Sequence, residues 1–263
     1  LCQAMPEMIE VEAYRQVAER TVGRTVASVK AADAWFLKGG TTARALRAAL
    51  LGARVTGTAR IGKLLLLETD GPALGLRFGM TGRLLVDGDG PIQELEYGSR
   101  RHEPGWIRFA LRFEGGGDLA LVDPRRLGGV ALDPATDHLG PDALEVTRRV
   151  LAARLSGSRA PIKAWLLDQS RVAGIGNLLA DEILWRAGID PARAAADLAD
   201  HEVAGLHGTI RRTIRLLTRR GGSHTGDLQV ARARGATCPR DGTPLERRTI
   251  GGRTTYSCPL HQR

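Results

Sequence analysis

Three cysteines in 263 residues, Cys2, Cys238 and Cys258, are too few to build a disulfide framework. They fit a reducing compartment, where paired cysteines more often hold a metal than each other. No apolar run is long enough for a bilayer span, and no signal-peptide pattern of basic, apolar and small residues opens the chain. Internal repeats are missing, as are low-complexity segments beyond an Ala/Arg bias. These absences predict a soluble, cytoplasmic protein without a membrane partner.

What is present is a buried-core composition and an excess of positive charge. Hydrophobic residues make up 43%, so disorder is not the default, and the length suits two modest domains or one large domain with an appendage. The formal net charge of +9 makes a polyanion the leading partner class, without separating DNA from RNA or a membrane surface.

From Glu7 to Val22 apolar residues recur at helical spacing, and Gly23 supplies a stop. Between about Thr25 and Leu132, short runs such as "RVTGTAR", "KLLLLETD", "ALGLRFGMTGRLLV", "WIRFALRF" and "DLALVDP" are bounded by Gly, Pro and Asp. That pattern predicts a many-stranded β unit. "GPDALEVT" reads as a linker to four helices, about Arg148–Leu155, Ile162–Leu167, Leu178–Ala187 and His201–Thr218. The tail from Arg232 to Arg263 is basic and turn-rich, with "RRTIGGRTTY" reading as a β-hairpin.

Two knuckles flank that hairpin in the form C-x2-D-x16-C-x2-H, so Cys238, Asp241, Cys258 and His261 could hold one structural Zn2+. An Asp oxygen is a poorer structural ligand than a thiolate, and the other reading is a metal-free hairpin held by packing. The small core of such a ribbon favours the metal. Arg253, just after Gly251-Gly252 at the tip, would project a guanidinium suited to phosphate, or remain a solvated hairpin charge.

"QSRVAGIGNLLADEILWRAG" places Gly174, Gly176 and Asn177 directly before an amphipathic helix. No third glycine follows at dinucleotide-binding spacing and no strand precedes. Asn177 is placed as an N-cap, and the glycines let an anion approach the exposed N–H groups. With Lys163 and the basic stripe Arg211, Arg212, Arg215, Arg219 and Arg220, docking of backbone phosphate is the better reading over a plain helix corner.

Five ordered blocks carry a resemblance: "MPEMIEVE", "RFGMTGRL", "VDPRRLGG", "IKAWLLDQSRVAGIGNLLADEILWRAGIDP" and "GGRTTYSCP". They cover nearly the whole chain from Met5 and are similar to the formamidopyrimidine-DNA glycosylase / endonuclease VIII family. The resemblance implies an α+β multidomain fold. Residues 6–135 would form an N-terminal β-sandwich with an N-terminal helix. Residues 141–225 would form a helix–two-turn–helix domain, and residues 232–263 a zinc-ribbon-like β-hairpin. It implies a monomer acting on damaged double-stranded DNA without a small-molecule cofactor.

In that family the mature chain begins at the proline, whose secondary amine attacks C1′ of the damaged nucleotide. An α-amino group titrates near about 7.7–8.0, so part of it is neutral and nucleophilic at physiological pH. Pro6 matches this nucleophile, Glu7 the carboxylate that moves protons, and Glu10 and Glu182 supporting acids. Pro with acids in the first turn is also what any helix start prefers. We expect Leu1 to Met5 to be absent from the mature chain, with Met5 the initiator. Lys63, Asn177 and Arg253 match phosphate contacts. Met80 and Arg125 match side chains inserted where the damaged nucleotide is turned out.

Several positions depart from the family pattern. Ile9 stands for the second proline of the signature, Arg77 for a frequent histidine, and Leu127 for a common aromatic wedge. Leucine still wedges but stacks less well on a base. The stretch between "GGSHTGD" and "CPRDG" is shorter than in 8-oxoguanine-specific members, which use a loop there to cap the base. An oxidised pyrimidine, ring-opened purine, hydantoin, abasic site or bulkier adduct fits at least as well. A bifunctional glycosylase/AP lyase is the leading expectation, and a catalytically altered DNA-damage-binding protein on the same scaffold is the alternative.

Overall fold

A computed structural model describes residues 6–92 and 103–263. The expectation about Leu1 to Met5 lies outside the described residues. The chain divides into two compact units, the first extending to Thr136 and the second Asp137–Arg263. The helical region and the ribbon thus share one unit, where the sequence suggested two domains.

The first unit opens with helix α1 (Met8–Ala18), which buries Met8, Ile9, Val11, Tyr14 and Ala18. It is shorter than the run to Val22 expected from spacing, because a 3-10 turn at Glu19–Thr21 follows. Then come β1 (Val26–Lys30), α2 (Ala43–Leu50), β2 (Val55–Ile61), β3 (Leu64–Thr69), β4 (Leu74–Arg77), β5 (Arg83–Val86), β6 (Ile107–Phe113), β7 (Asp118–Val122) and β8 (Gly129–Leu132). Antiparallel pairing gives two four-stranded sheets, ordered β1-β6-β7-β5 and β2-β3-β4-β8.

Period-two alternation aims Leu65/Leu67, Leu74/Leu76, Leu84/Val86, Phe109/Leu111 and Leu119/Leu121 into one shared apolar core. Burying each such side chain contributes about 1.5–3 kcal/mol. α1 packs on β2, β3 and β5, which fixes the start of the chain against the sandwich. Helix α2 is an addition to the all-strand reading of this region. Thr42 caps it by accepting from the Ala45 amide at 3.1 Å, and Leu46 and Leu50 face the core.

The second unit contains α3 (Arg148–Leu155), α4 (Ile162–Leu167), α5 (Asn177–Ala187) and α6 (Asp200–Arg220). α5 is buried continuously from Leu178 to Trp185, with α4, α6 and the ribbon packed on it. Both α5 and α6 end at a left-handed glycine, Gly188 and Gly221. The ribbon is a hairpin of β9 (Glu246–Ile250) and β10 (Arg253–Ser257). Trp185, Leu228, Cys238 and Cys258 form the small apolar cluster beneath it. None of the described helices is long and apolar enough to cross a membrane.

Candidate active site and nucleic-acid interface

Pro6, Glu7 and Glu10 all lie in buried positions at the start of α1. The Glu10 carboxylate accepts the Glu7 amide at 2.9 Å, half of a capping box that fixes the chain direction entering the helix. One turn further on, Glu12 takes Arg60 of β2 at 3.1 Å and Arg15 at 2.9 Å. Arg60 in turn donates to the Gly62 carbonyl at 2.9 Å. The β2–β3 turn carrying Lys63 is therefore tied to α1, the element that carries Pro6.

α1 also holds the segment containing Met80. The Tyr14 hydroxyl donates to the Gly82 carbonyl at 3.2 Å, and its ring stacks on Phe78 at 4.5 Å between centroids. Burial, then the neighbouring Glu10 carboxylate, push the Tyr14 phenol well above its usual value, so it remains a donor. Met80 itself is half-buried.

Arg125 and Leu127 are exposed on the next loop, with Leu127 at 49%. Asp123 joins this loop to the Met80 segment. It is fully buried and accepts Thr81 Oγ1 at 2.6 Å, the Arg125 amide at 3.1 Å and the Gly128 amide at 2.8 Å. The two loops are in backbone contact: Gly79, at φ +56°, faces the Leu127 backbone so closely that any Cβ would overlap it. Asp123 was not among the sequence candidates. Its signal was only the "VDP" turn, which any solvated Asp can supply.

In the second unit, the turn between α4 and α5 is held by Gln169. Its amide donates to the Leu167 and Ile175 carbonyls at 2.9 and 3.0 Å and accepts the Gly174 amide at 2.9 Å. Gly176 is the N-cap, so Asn177 is the first helical residue and not the cap expected from sequence. This frees the Asn177 side chain to donate to the Thr254 carbonyl at 3.3 Å. The turn and the exposed Arg253 at the ribbon tip are thereby brought together.

Lys163 corrects a second expectation. It is 0% exposed, paired with Asp181 at 2.7 Å and bonded to Thr255 Oγ1 at 2.7 Å and the Thr254 carbonyl at 3.1 Å. Arg232 also pairs with the buried Asp181. A lysine so enclosed cannot reach phosphate. It locks the ribbon tip onto α4 and α5. Glu182 is likewise 0% exposed, and it holds the Asp227 and Leu228 amides at 3.0 and 2.9 Å and Arg186 at 2.7 Å. The structure gives it an anchoring task instead of the catalytic one expected.

The basic stripe on α6 also separates. Arg211 donates to the Leu144 carbonyl and Arg220 pairs with Asp227, while Arg212, Arg215 and Arg219 line a groove near the far end of α5.

Cys238, Asp241, Cys258 and His261 converge, with their ligand atoms all within 4.8 Å of one another. Cys258 Sγ lies 3.3 Å from Asp241 Oδ2, Cys238 Sγ lies 3.8 Å from His261 Nδ1, and Asp241 Oδ2 lies 2.7 Å from that nitrogen. Ligands about 2.0–2.3 Å from a shared tetrahedral ion stand about 3.3–3.8 Å apart, as the two sulfur distances do, while Asp241 and His261 are in direct hydrogen-bond contact. His261 Nε2 is directed at the Trp185 carbonyl at 3.2 Å, which leaves Nδ1 to face the cluster. The Trp185 indole and the Arg240 amide both donate to Cys238 Sγ, at 3.3 and 3.4 Å, as suits a thiolate. The Thr243 amide, then His261, hold the Asp241 carboxyl well below the usual range, and burial pushes the Cys258 thiol up. The donor set fits zinc.

Residues 5–130 match the formamidopyrimidine-DNA glycosylase N-terminal domain, and residues 139–228 the H2TH domain of the same enzymes. The chain belongs to the formamidopyrimidine-DNA glycosylase family. The Symbiobacterium thermophilum formamidopyrimidine-DNA glycosylase is 35% identical over 98% of this chain and 89% of its own. The Paracoccus denitrificans formamidopyrimidine-DNA glycosylase is also 35% identical, over 98% of this chain and 100% of its own. Among solved structures, Lactococcus lactis Fpg bound to abasic-site DNA superposes with a TM-score of 0.82 at 26% identity, covering 98% of this chain and 100% of that one. The same enzyme with DNA containing an oxidised pyrimidine gives 0.82 at 27% over the same shares. Both family domains fall within the two units: the sandwich with its N-terminal helix, and the helical unit with its hairpin.

Proposed function

We propose that this protein is a DNA repair glycosylase with AP lyase activity, excising damaged bases from duplex DNA through Pro6. The observation that carries the reading is Pro6 set against Glu7 and Glu10 at the start of α1, in a chain of this family.

The reaction needs Pro6 as the first residue of the mature chain, because an amide nitrogen has no available lone pair. Its secondary amine attacks C1′ while the C1′–base bond breaks and the base leaves with a proton. Opening of the sugar C1′–O4′ bond then gives an iminium at Pro6. The iminium withdraws electrons from C2′, so loss of a C2′ proton breaks the C3′–O bond and releases the 3′ phosphate. Water regenerates the amine. Glu7, buried and adjacent to Pro6, carries the protons in this reading.

Met80, Arg125 and Leu127 fill the gap left by the extruded nucleotide, which offsets stacking worth a few kcal/mol. Their presentation from two loops joined at Asp123 supports this assignment. Lys63, Asn177 and Arg253 take backbone phosphates, Asn177 and Arg253 from one surface of the second unit.

Cys238, Asp241, Cys258 and His261 hold a zinc ion that ties the two knuckles together and stiffens the hairpin bearing Arg253. Its contribution is structural.

Base release from a duplex panel containing an oxidised pyrimidine, a ring-opened purine, 8-oxoguanine and an abasic site tests the function. Protein with a verified Pro6 terminus is expected to release at least one damaged base and to cut the abasic strand. Tight lesion binding without release or cleavage would favour the binding-only alternative.

A further inference from the structure

The arginines of α6 that the DNA-facing turn does not use form a site of their own. Arg212, Arg215 and Arg219 of α6 meet Arg186 of α5 and Arg240 of the first knuckle around a groove of about 540 Å³. Arg186 is neutralised by Glu182 and Asp227. The other four have no carboxylate within ion-pair distance among the described residues, in contrast to Arg15 of α1, Arg193 and Arg248, which are each paired. Four uncompensated guanidiniums around one concavity repel one another and attract anions.

The groove is built, not a chance meeting of mobile side chains. Arg240 and Arg186 lie over the Trp185 ring at 5.0 and 5.9 Å, and this cation–π contact holds Arg240 in the wall without a carboxylate partner. Arg212 is steadied by Thr209 Oγ1 at 2.9 Å. Leu216 adds an apolar patch to the lining. Thr213, also in the lining, is 1% exposed and its hydroxyl has no hydrogen-bond partner.

We propose that this groove binds an acidic peptide segment of a partner protein. Two features favour a peptide over the DNA backbone. The groove lies at the last turn of α5, nine residues from Asn177, about 14 Å along the axis at 1.5 Å per residue. Its leucine, set among arginines, matches a chain that alternates carboxylates with an apolar side chain.

Fluorescence anisotropy of full-length protein with a labelled short peptide of Asp and Glu around one Leu tests this. Saturable binding is expected, with the Asn/Gln counterpart weaker by at least about tenfold. The double variant Arg215→Gln/Arg219→Gln should weaken the acidic peptide by at least about tenfold while lesion-duplex affinity stays within about threefold. Saturating lesion duplex should leave the peptide bound. Absence of saturable binding, equal affinity for the neutral peptide, or unchanged peptide affinity in the double variant would overturn the proposal. Displacement of the peptide by duplex would also overturn it and assign the groove to the DNA backbone.

Discussion

The Thr81 hydroxyl donates to the buried Asp123 carboxylate at 2.6 Å, and the same carboxylate receives the Arg125 and Gly128 amides. One acid therefore sets the spacing between Met80 and the Arg125–Leu127 loop, the side chains assigned to the gap in the duplex. Asp123→Ala would strand three donors in a dry site. At about 1–3 kcal/mol for each group left unsatisfied, we predict a loss of about 3 kcal/mol or more, and about 1–2 kcal/mol for the milder Thr81→Val. Chemical denaturation measures both. Base release should fall further than strand cutting at a preformed abasic site, where less stacking has to be replaced. Equal losses on the two substrates for Thr81→Val would contradict the positioning role.

Lys163 offers a test that separates a buried lock from a phosphate contact. Removing one partner of a buried ion pair costs about 3–5 kcal/mol, so Lys163→Met should destabilise the second unit by that order. DNA affinity should drop through the loosened Thr254 strand, with the slope of log affinity against log salt unchanged. Arg253→Ala, by contrast, should reduce that slope by about 1. A reduced slope and intact stability in Lys163→Met would restore the direct contact.

Metal content bears on the ribbon. Mass spectrometry of purified protein under native conditions is expected to find one zinc per chain, lost in Cys258→Ser and weakened in Asp241→Asn. Chelation should lower lesion-duplex affinity, since the hairpin that bears Arg253 loses its clamp. Full affinity with no bound metal would show that packing around Trp185 suffices.

Elements with clear periodicity were legible in the sequence. The α3 and α4 spans coincide with the expected helices, and the hairpin falls where "RRTIGGRTTY" placed it. Helix α2 was hidden because "TTARALRAAL" sits among strands, although Thr42 is a good cap. β1 was unreadable by alternation because a bulge between Val26 and Ser28 breaks its period. Lys163 misled for a different reason: a lysine on a short amphipathic helix reads as exposed until its partner on another helix is known. Asp181, that partner, lies beside Glu182, and neither announces its burial in sequence. The groups that position the candidate residues, Asp123 and Asp181 among them, needed three dimensions.

The central claim is that the nitrogen of Pro6 forms the covalent intermediate. Protein whose first residue is verified as Pro6 should be incubated with an abasic-site duplex and borohydride, then digested and sequenced by mass spectrometry. The account predicts a reduced DNA adduct on Pro6, absent in control protein that retains Met5 and so carries an amide at this nitrogen. An adduct on a lysine instead, or none with protein that still cuts the abasic strand, would contradict it.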